Sequence, residues 1–74
     1  MTRLFARTIR RIFDERGNLI EFNYSDNNRQ LYVTVLEIDG KYDEFPYLKE
    51  TISYEDAIDL VFAIERLERI GVRQ

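Results

Sequence analysis

The chain has 74 residues, of which 45% are hydrophobic and 34% charged, and its net charge is −3. This composition is typical of a single folded domain covering residues 1–74, and it argues against disorder. The sequence has no cysteine and no histidine, so we expect a non-catalytic protein with no disulfide, metal or cofactor, in a reducing compartment such as the cytoplasm.

The N-terminal segment, residues 1–16, is rich in arginine and fits two local structures. As a helix, it places its apolar side chains on one half of the wheel and its arginines on the other. As a strand, it leads into a hairpin loop with Gly17 in the left-handed conformation that glycine favours. That strand register places Arg11 opposite Glu21, which is a favourable cross-strand pair. We therefore favour a strand and keep a short helix as the alternative.

Two polar turn sequences divide the middle of the chain into three predicted strands. A cluster of serine, aspartate and asparagine marks the first turn, and an Asp-Gly pair at residues 39–40 predicts a two-residue hairpin turn at the second. The middle strand is apolar on both faces, which indicates a central position in the sheet. The last strand contains Pro46, which cannot donate a backbone hydrogen bond, so it must be bulged or lie at an edge. The predicted strands are residues 19–24, 31–38 and 42–48.

The C-terminal segment predicts an amphipathic helix over residues 54–70. Ser53 is the expected N-cap, acidic residues fill the first turn, and Gly71 is the expected stop. The longest apolar run, residues 60–64, is too short to cross a bilayer, so we expect no membrane partner. The predicted fold is α+β, an antiparallel meander of three to four strands packed against this one helix. The residues expected to meet between sheet and helix are Ile20, Phe22, Tyr32, Thr34, Leu36, Leu60, Ile64 and Leu67.

The arginines and aromatic residues of the N-terminal segment form the first candidate binding site. If this segment is a strand, the odd-numbered residues from Phe5 to Phe13 share one face, which carries aromatic rings for base stacking and cations for phosphates. The acidic balance of the rest of the chain opposes phosphate binding, so binding of single-stranded nucleic acid is the alternative function. The candidate nucleic-acid-binding residues are Phe5, Arg7, Arg10, Arg11 and Phe13.

The predicted strand at residues 42–48 forms the second candidate site. Its aromatic residues lie within a window, residues 37–59, that holds eight acidic residues and two lysines. Exposed aromatic residues commonly anchor protein interfaces, and carboxylates around them attract a basic partner. In the plainer interpretation, Phe45 and Tyr47 point into the core and the acids are only solvated. The candidate interface residues are Tyr42, Asp43, Glu44, Phe45 and Tyr47.

These features favour a small acidic binding or regulatory module that docks on a larger protein. Small acidic chains without cysteine are often accessory proteins or viral inhibitors of larger assemblies. This analogy rests on size and composition and not on a sequence motif. We expect such a protein in the cytoplasm, or in the host cytoplasm if it is viral. The sequence does not indicate the identity of the partner.

The outer side of the predicted helix carries an apolar ridge made of Ile58 and Phe62. These residues lie four positions apart, so they stack on one helix face, away from the stripe expected to pack on the sheet. Charges of both signs border the ridge, and Glu65 of one copy can meet Arg69 of another across a two-fold axis. The sequence therefore predicts a homodimer through this ridge, unless an N-terminal helix covers it instead.

Overall fold

The computed structural model describes residues 6–73, including the side chains of residues 7–67. Four strands form one antiparallel sheet in the order β1-β2-β3-β4, and one helix follows them along the chain. This architecture confirms the predicted α+β fold. It also confirms the strand alternative for the N-terminal segment, over the residues described. The elements are β1 (Ala6–Phe13), β2 (Leu19–Ser25), β3 (Gln30–Leu36), β4 (Tyr42–Pro46) and α1 (Tyr54–Arg73).

The β1–β2 and β3–β4 hairpins close with the same loop geometry. In the second hairpin, the Glu37 N–H donates to the Lys41 carbonyl and the Gly40 N–H donates to the Glu37 carbonyl, both at 2.8 Å. Gly40 has a φ of +94° and Gly17, at the same position of the first loop, has a φ of +89°. A turn followed by a left-handed glycine makes a three-residue loop. The two-residue turn expected at residues 39–40 is therefore wrong, whereas the glycine expected in the first loop is confirmed.

A β-bulge in β1 changes the face on which its side chains lie. The register confirms that Arg11 lies opposite Glu21, and it shifts between Thr8 and Arg10. The bulge gives β1 one extra residue relative to β2, so the alternation of side chains is interrupted there. Arg7 and Arg11 consequently lie on opposite faces of the sheet, although four residues separate them in sequence.

The core lies between α1 and one face of the sheet. Because Phe22 lies opposite Val33 and both are buried in this core, the odd-numbered residues of β3 face the helix. The expectation that Tyr32, Thr34 and Leu36 face the helix is wrong, because β3 is apolar on both faces and its alternation does not indicate the buried one. The buried cluster consists of Phe22, Tyr24, Leu31, Val33, Ala57 and Val61.

The other side of the sheet, which carries the even-numbered residues of β3, is called the open face below. Its middle is polar: the Thr8 hydroxyl donates to the Asn23 amide oxygen at 2.8 Å, and the Thr34 hydroxyl donates to Glu21 at 3.4 Å. Among the described residues, every buried side-chain nitrogen or oxygen has a hydrogen-bond partner. The sheet therefore buries polar groups on this face without leaving any of them unsatisfied.

The helix begins where the sequence predicts and ends later. The Asp56 N–H donates to Ser53 Oγ at 3.1 Å, so Ser53 is the N-cap as expected. The helix continues to Arg73, which makes the expected span of residues 54–70 and the expected stop at Gly71 wrong. A glycine in a helix costs about 1 kcal/mol relative to alanine, but it does not by itself end the helix.

The helix packs on the sheet through a short stripe of its residues. Ala57 and Val61 are fully buried, and Leu60 and Ile64 pack beside them. Leu67, which was expected to continue this stripe, is exposed. Among the described residues, the apolar side chains around the core come from β1, β2, β3, α1 and the residue Ile52 that precedes the helix. The fourth strand thus lies outside the core.

Candidate functional site

The fourth strand is exposed along its whole length. The aromatic residues on it or next to it are accessible: Tyr42 keeps 59% of its residue surface exposed, Phe45 44% and Tyr47 42%. Tyr47 packs edge-on against Phe22, with ring centres 6.1 Å apart. Phe45 and Tyr47 therefore lie on the side of the sheet that faces the core, as the plainer interpretation expects. They are not buried there, because both residues keep much of their surface accessible to solvent.

The backbone of β4 lies at the edge of the sheet, as Pro46 predicts. The Tyr47 N–H donates to the Leu31 carbonyl at 2.8 Å, and in an antiparallel pair such bonds recur at every second residue. Asp43 and Phe45 therefore direct their N–H groups toward β3. The alternate residues, including Pro46, direct their backbone groups away from the sheet, where the N–H that proline lacks is not needed.

Four of the candidate interface residues lie on this strand, on both of its faces, and the fifth, Tyr47, directly follows its last residue. Asp43 lies opposite Val35, and Phe45 lies opposite Val33, so both share the helix-facing side of the sheet with Tyr47. The other two candidate residues, Tyr42 and Glu44, lie on the open face, since they pair with Leu36 and Thr34. The strand thus presents aromatic and acidic side chains in two directions.

Two candidate arginines of β1 form bidentate ion pairs with acids of other elements. Arg7 donates to both carboxylate oxygens of Asp26, at 2.7 and 2.8 Å, and its guanidinium lies 4.3 Å from the centre of the Tyr54 ring. Arg10 donates to both carboxylate oxygens of Glu65 on α1, each at 2.8 Å. These hydrogen bonds raise the pKa of Arg7 and of Arg10 above its ordinary value. Both cations are therefore engaged within the molecule.

The remaining nucleic-acid candidates do not form one surface with these arginines. Arg11 donates to Glu21 on the open face, where Phe13 is also exposed. Because the bulge places Arg7 on the opposite side, the single face expected for the odd-numbered residues of this segment is wrong. Phe5 lies outside the described residues. The first candidate site is therefore divided between two faces, and each described arginine in it has an acidic partner.

The helix ridge is partly engaged within the molecule. Phe62 is exposed and Ile58 is half-buried. Glu65, which was expected to meet Arg69 of a second copy, accepts both hydrogen bonds of Arg10. The side chain of Arg69 lies outside the described residues. Because β1 is a strand, the alternative in which an N-terminal helix covers the ridge is wrong over the described part of the chain. The homodimer itself stays a prediction.

The structure adds an exposed apolar set that sequence analysis missed. Leu36 and Ile38 keep 43% and 73% of their surface accessible, and both lie at the end of the sheet that carries the two glycine loops. Leu36 was expected in the core, because both faces of this central strand are apolar and the sequence pattern does not indicate which face is buried. The signal that identifies this set is the strand register, which the sequence pattern alone does not supply.

Comparisons with known proteins add no family to this description. No protein-family model matches the sequence, and no curated protein or solved structure is significantly similar to it. Within residues 6–73, no helix is long and apolar enough to cross a lipid bilayer. Among the side chains of residues 7–67, no three acidic, histidine or cysteine residues come together in a group that can hold a metal ion.

Proposed function

We propose that this protein is a non-catalytic binding module that docks a basic, extended segment of a larger protein along β4. The observation that carries the proposal is the exposure of this strand along its whole length, with three accessible aromatic rings on or beside it. Aromatic side chains on a rigid strand are effective interface anchors, because they bury a large apolar area and lose little conformational freedom on binding.

The backbone of β4 supports docking by strand addition. An extended segment can add to an exposed sheet edge through main-chain hydrogen bonds, while its alternate side chains contact the residues of the edge strand. Tyr42 and Glu44 direct their backbone groups outward, whereas Pro46 offers only its carbonyl. We therefore expect the segment to pair with residues 42–44 and to continue past Pro46 over the exposed rings.

The charge around β4 supports a basic partner. Residues 37–59 carry eight acids against two lysines, and acids of such a window attract lysine and arginine side chains during association. Asp43 lies on the same face as Phe45. A basic side chain of the partner segment can therefore meet the Asp43 carboxylate, while the side chain two residues away in that segment covers the Phe45 ring. Affinity of this kind decreases as salt screens the charges.

The alternative function, binding of single-stranded nucleic acid, has less support. Arg7, Arg10 and Arg11 each bond an acid of the same chain, so a phosphate must compete with a carboxylate for each of them. The aromatic and cationic residues of β1 also lie on two faces rather than one. A role as a regulatory or inhibitory accessory protein in the cytoplasm, including the host cytoplasm for a viral protein, fits a short chain without cysteine.

The experiment starts from a display library of extended peptides rich in lysine and arginine, selected on the intact protein. The Kd of a selected peptide is then measured by fluorescence anisotropy for the wild type and for Asp43→Lys, Phe45→Ala and Phe13→Ala. We expect the first two variants to weaken binding at least about tenfold, as for interface hot spots. Phe13→Ala is the matched control, because it removes an exposed ring from the opposite edge, and it should leave the Kd unchanged.

Two results would contradict the proposal. The first is a library that yields no peptide whose binding depends on Asp43 or Phe45. The second is an oligothymidine strand that binds more tightly than any selected peptide and loses affinity in Arg7→Ala or Arg11→Ala, which would support the nucleic-acid alternative.

A further inference from the structure

The end of the open face carries a continuous row of apolar side chains. Phe13 pairs with Leu19, Leu19 pairs with Leu36, and Leu36 pairs with Tyr42, so the row crosses all four strands. Phe13, at the end of β1, keeps 71% of its surface accessible, and Ile38, in the adjacent β3–β4 loop, keeps 73%. Contiguous apolar surface of this kind on a soluble domain marks an interaction site more often than a chance exposure.

The next row of the open face carries charges in a particular order. Arg11 on β1 pairs with Glu21 on β2, Glu21 with Thr34 on β3, and Thr34 with Glu44 on β4. The row therefore has a cation at one edge of the sheet and a carboxylate at the other. Side chains of one row point to the same side of the sheet, so this row and the apolar row form one surface.

We infer that a second copy of this chain covers the open face, with a two-fold axis that lies between the sheets and runs parallel to the strands. This axis places β1 of one copy over β4 of the other and keeps each row facing its own equivalent. Phe13 then meets Tyr42 of the second copy, and Arg11 meets Glu44. An isologous contact repeats each of these pairs twice.

The order of charges selects this axis over the other two-fold arrangements. An axis that runs across the strands through the charged row places Arg11 over Arg11 and Glu21 over Glu21, and like charges that face each other oppose association. An axis across the strands between the two rows places the charged row over the apolar row instead. The parallel axis brings Glu21 over Thr34 instead, so no like charges meet. Arg11 already donates to Glu21 and Glu44 already has an interaction within the chain. A guanidinium has five N–H donors and a carboxylate has about four acceptor positions, so each can form the additional bond.

This contact differs from both surfaces discussed above. The helix ridge relies on Glu65, which Arg10 already bonds. The helix-facing side of β4, with Asp43 and Phe45, and the outer backbone edge of the strand stay accessible in the dimer, whereas the side chains of Tyr42 and Glu44 are covered. A four-stranded face is only about 19 Å wide, so we expect the contact to be smaller than a standard interface of about 800 Å² per partner. We therefore expect a weak dimer that dissociates on dilution.

Analytical ultracentrifugation of four samples tests this dimer. The wild type should associate as its concentration rises toward the millimolar range. Arg11→Glu alone and Glu44→Arg alone should each stay monomeric, since each places like charges across the axis. An equimolar mixture of these two variants should regain the dimer, because residues 11 and 44 then have opposite charges at both contacts. Thermal unfolding of each variant alone checks that it is folded.

Matched controls separate this surface from the other two. Asp43→Lys reverses a charge on the neighbouring residue but on the other face, and it should dimerise like the wild type. Phe62→Glu, on the helix ridge, should do the same. If Arg11→Glu does not fold, Leu36→Lys replaces it, because that exposed site lies in the middle of the apolar row and should also give a monomer.

Three outcomes would overturn the inference. A wild type that stays monomeric at every concentration removes the dimer. Association of the folded Arg11→Glu and Glu44→Arg variants to the same extent as the wild type removes the open face from it. A dimer that Phe62→Glu abolishes, while the open-face variants leave it intact, assigns self-association to the helix ridge.

Discussion

The two edge strands of the sheet carry opposite charges and use them differently. The arginines of β1 are bonded to Asp26, Glu21 and Glu65, so the basic edge is neutralised by the rest of the molecule. The acidic edge, β4, is exposed along its length and lies outside the core. A cluster of like charges therefore does not by itself identify a binding site, because each of its side chains can form an ion pair with another residue of the same chain.

The position of the helix accounts for this difference. α1 lies over the side of the sheet that contains β1, which brings Glu65 within hydrogen-bond distance of Arg10 and stacks Tyr54 under Arg7. The bulge in β1 further disrupts that edge, as bulges do at edges that should not pair. Among the described side chains, none of α1 covers the far edge in this way. The structure thus protects one edge and leaves the other available.

A substitution in the core between the central strands and the helix should cost the most stability. Leu31 is fully buried between the sheet and the helix, and Leu31→Ala should reduce the free energy of unfolding by about 2–5 kcal/mol. A domain this small has only about 3–5 kcal/mol in total, so the variant should be largely unfolded. A urea titration followed by circular dichroism measures this loss. A fully folded Leu31→Ala variant would contradict the assignment of the core.

A smaller effect compares one side chain from each edge. Ile12 on β1 packs against the core, and Ile12→Ala should cost roughly 1–2 kcal/mol, less than at a fully buried site because the residue is half-buried. Phe45→Ala on β4 removes a larger but more exposed side chain and should change stability by less than about 1 kcal/mol. Urea midpoints of the two variants measure the difference. The reverse order of losses would mean that β4, not β1, supports the core.

A still smaller effect concerns the charges of the two edges. Arg10→Gln removes the ion pair with Glu65, and we expect a slight loss of stability that decreases with added salt. Asp43→Asn should not change stability but should weaken the binding of a basic peptide. The two readouts, unfolding midpoint and peptide Kd, should therefore respond to different variants. If Arg10→Gln changes the Kd and Asp43→Asn does not, the assignment of the two edges is wrong.

The smallest expected effect lies at the hairpin loop that leads out of β1. Burial raises the pKa of Asp14, but hydrogen bonds from Asn18, Arg16 and Gly17 outweigh burial and leave this pKa below its ordinary value of 3.8. A lowered folded-state pKa stabilises the fold above the ordinary value, and this stabilisation is lost as the pH falls through the lowered pKa.

Asp14→Asn removes this contribution and provides the test. The stability difference between wild type and variant should be present at neutral pH and should shrink as the pH falls below 3.8. Urea midpoints of the wild type and the variant, at neutral pH and at a pH below 3.8, measure this stability difference. A difference that is unchanged by acid would show that the Asp14 charge does not stabilise the loop.

Local chemistry made much of this fold predictable. Gly17 and the Ser53 cap follow from backbone geometry that few residues satisfy, and Pro46 indicates an edge because it lacks a donor.

The buried face of β3 was not predictable, since Leu31 and Leu36 are both apolar and only the pairing with β2 distinguishes them. The acids that bond the β1 arginines were also missed in part, because Asp26 and Glu65 reach them through tertiary structure. The fourth strand was expected over residues 42–48 and begins there, but it ends at Pro46.

Amide chemical shifts test whether β4, rather than β1, is the docking edge. The ¹⁵N-labelled intact protein is titrated with a lysine- and arginine-rich extended peptide selected on it, and separately with oligothymidine. We predict saturable shifts from the peptide that centre on residues 42–47 and decrease with salt, while oligothymidine leaves the amides of residues 7–11 in place. Saturable shifts centred on residues 7–11 with either titrant, and none at β4, would show that β1 is the docking edge instead.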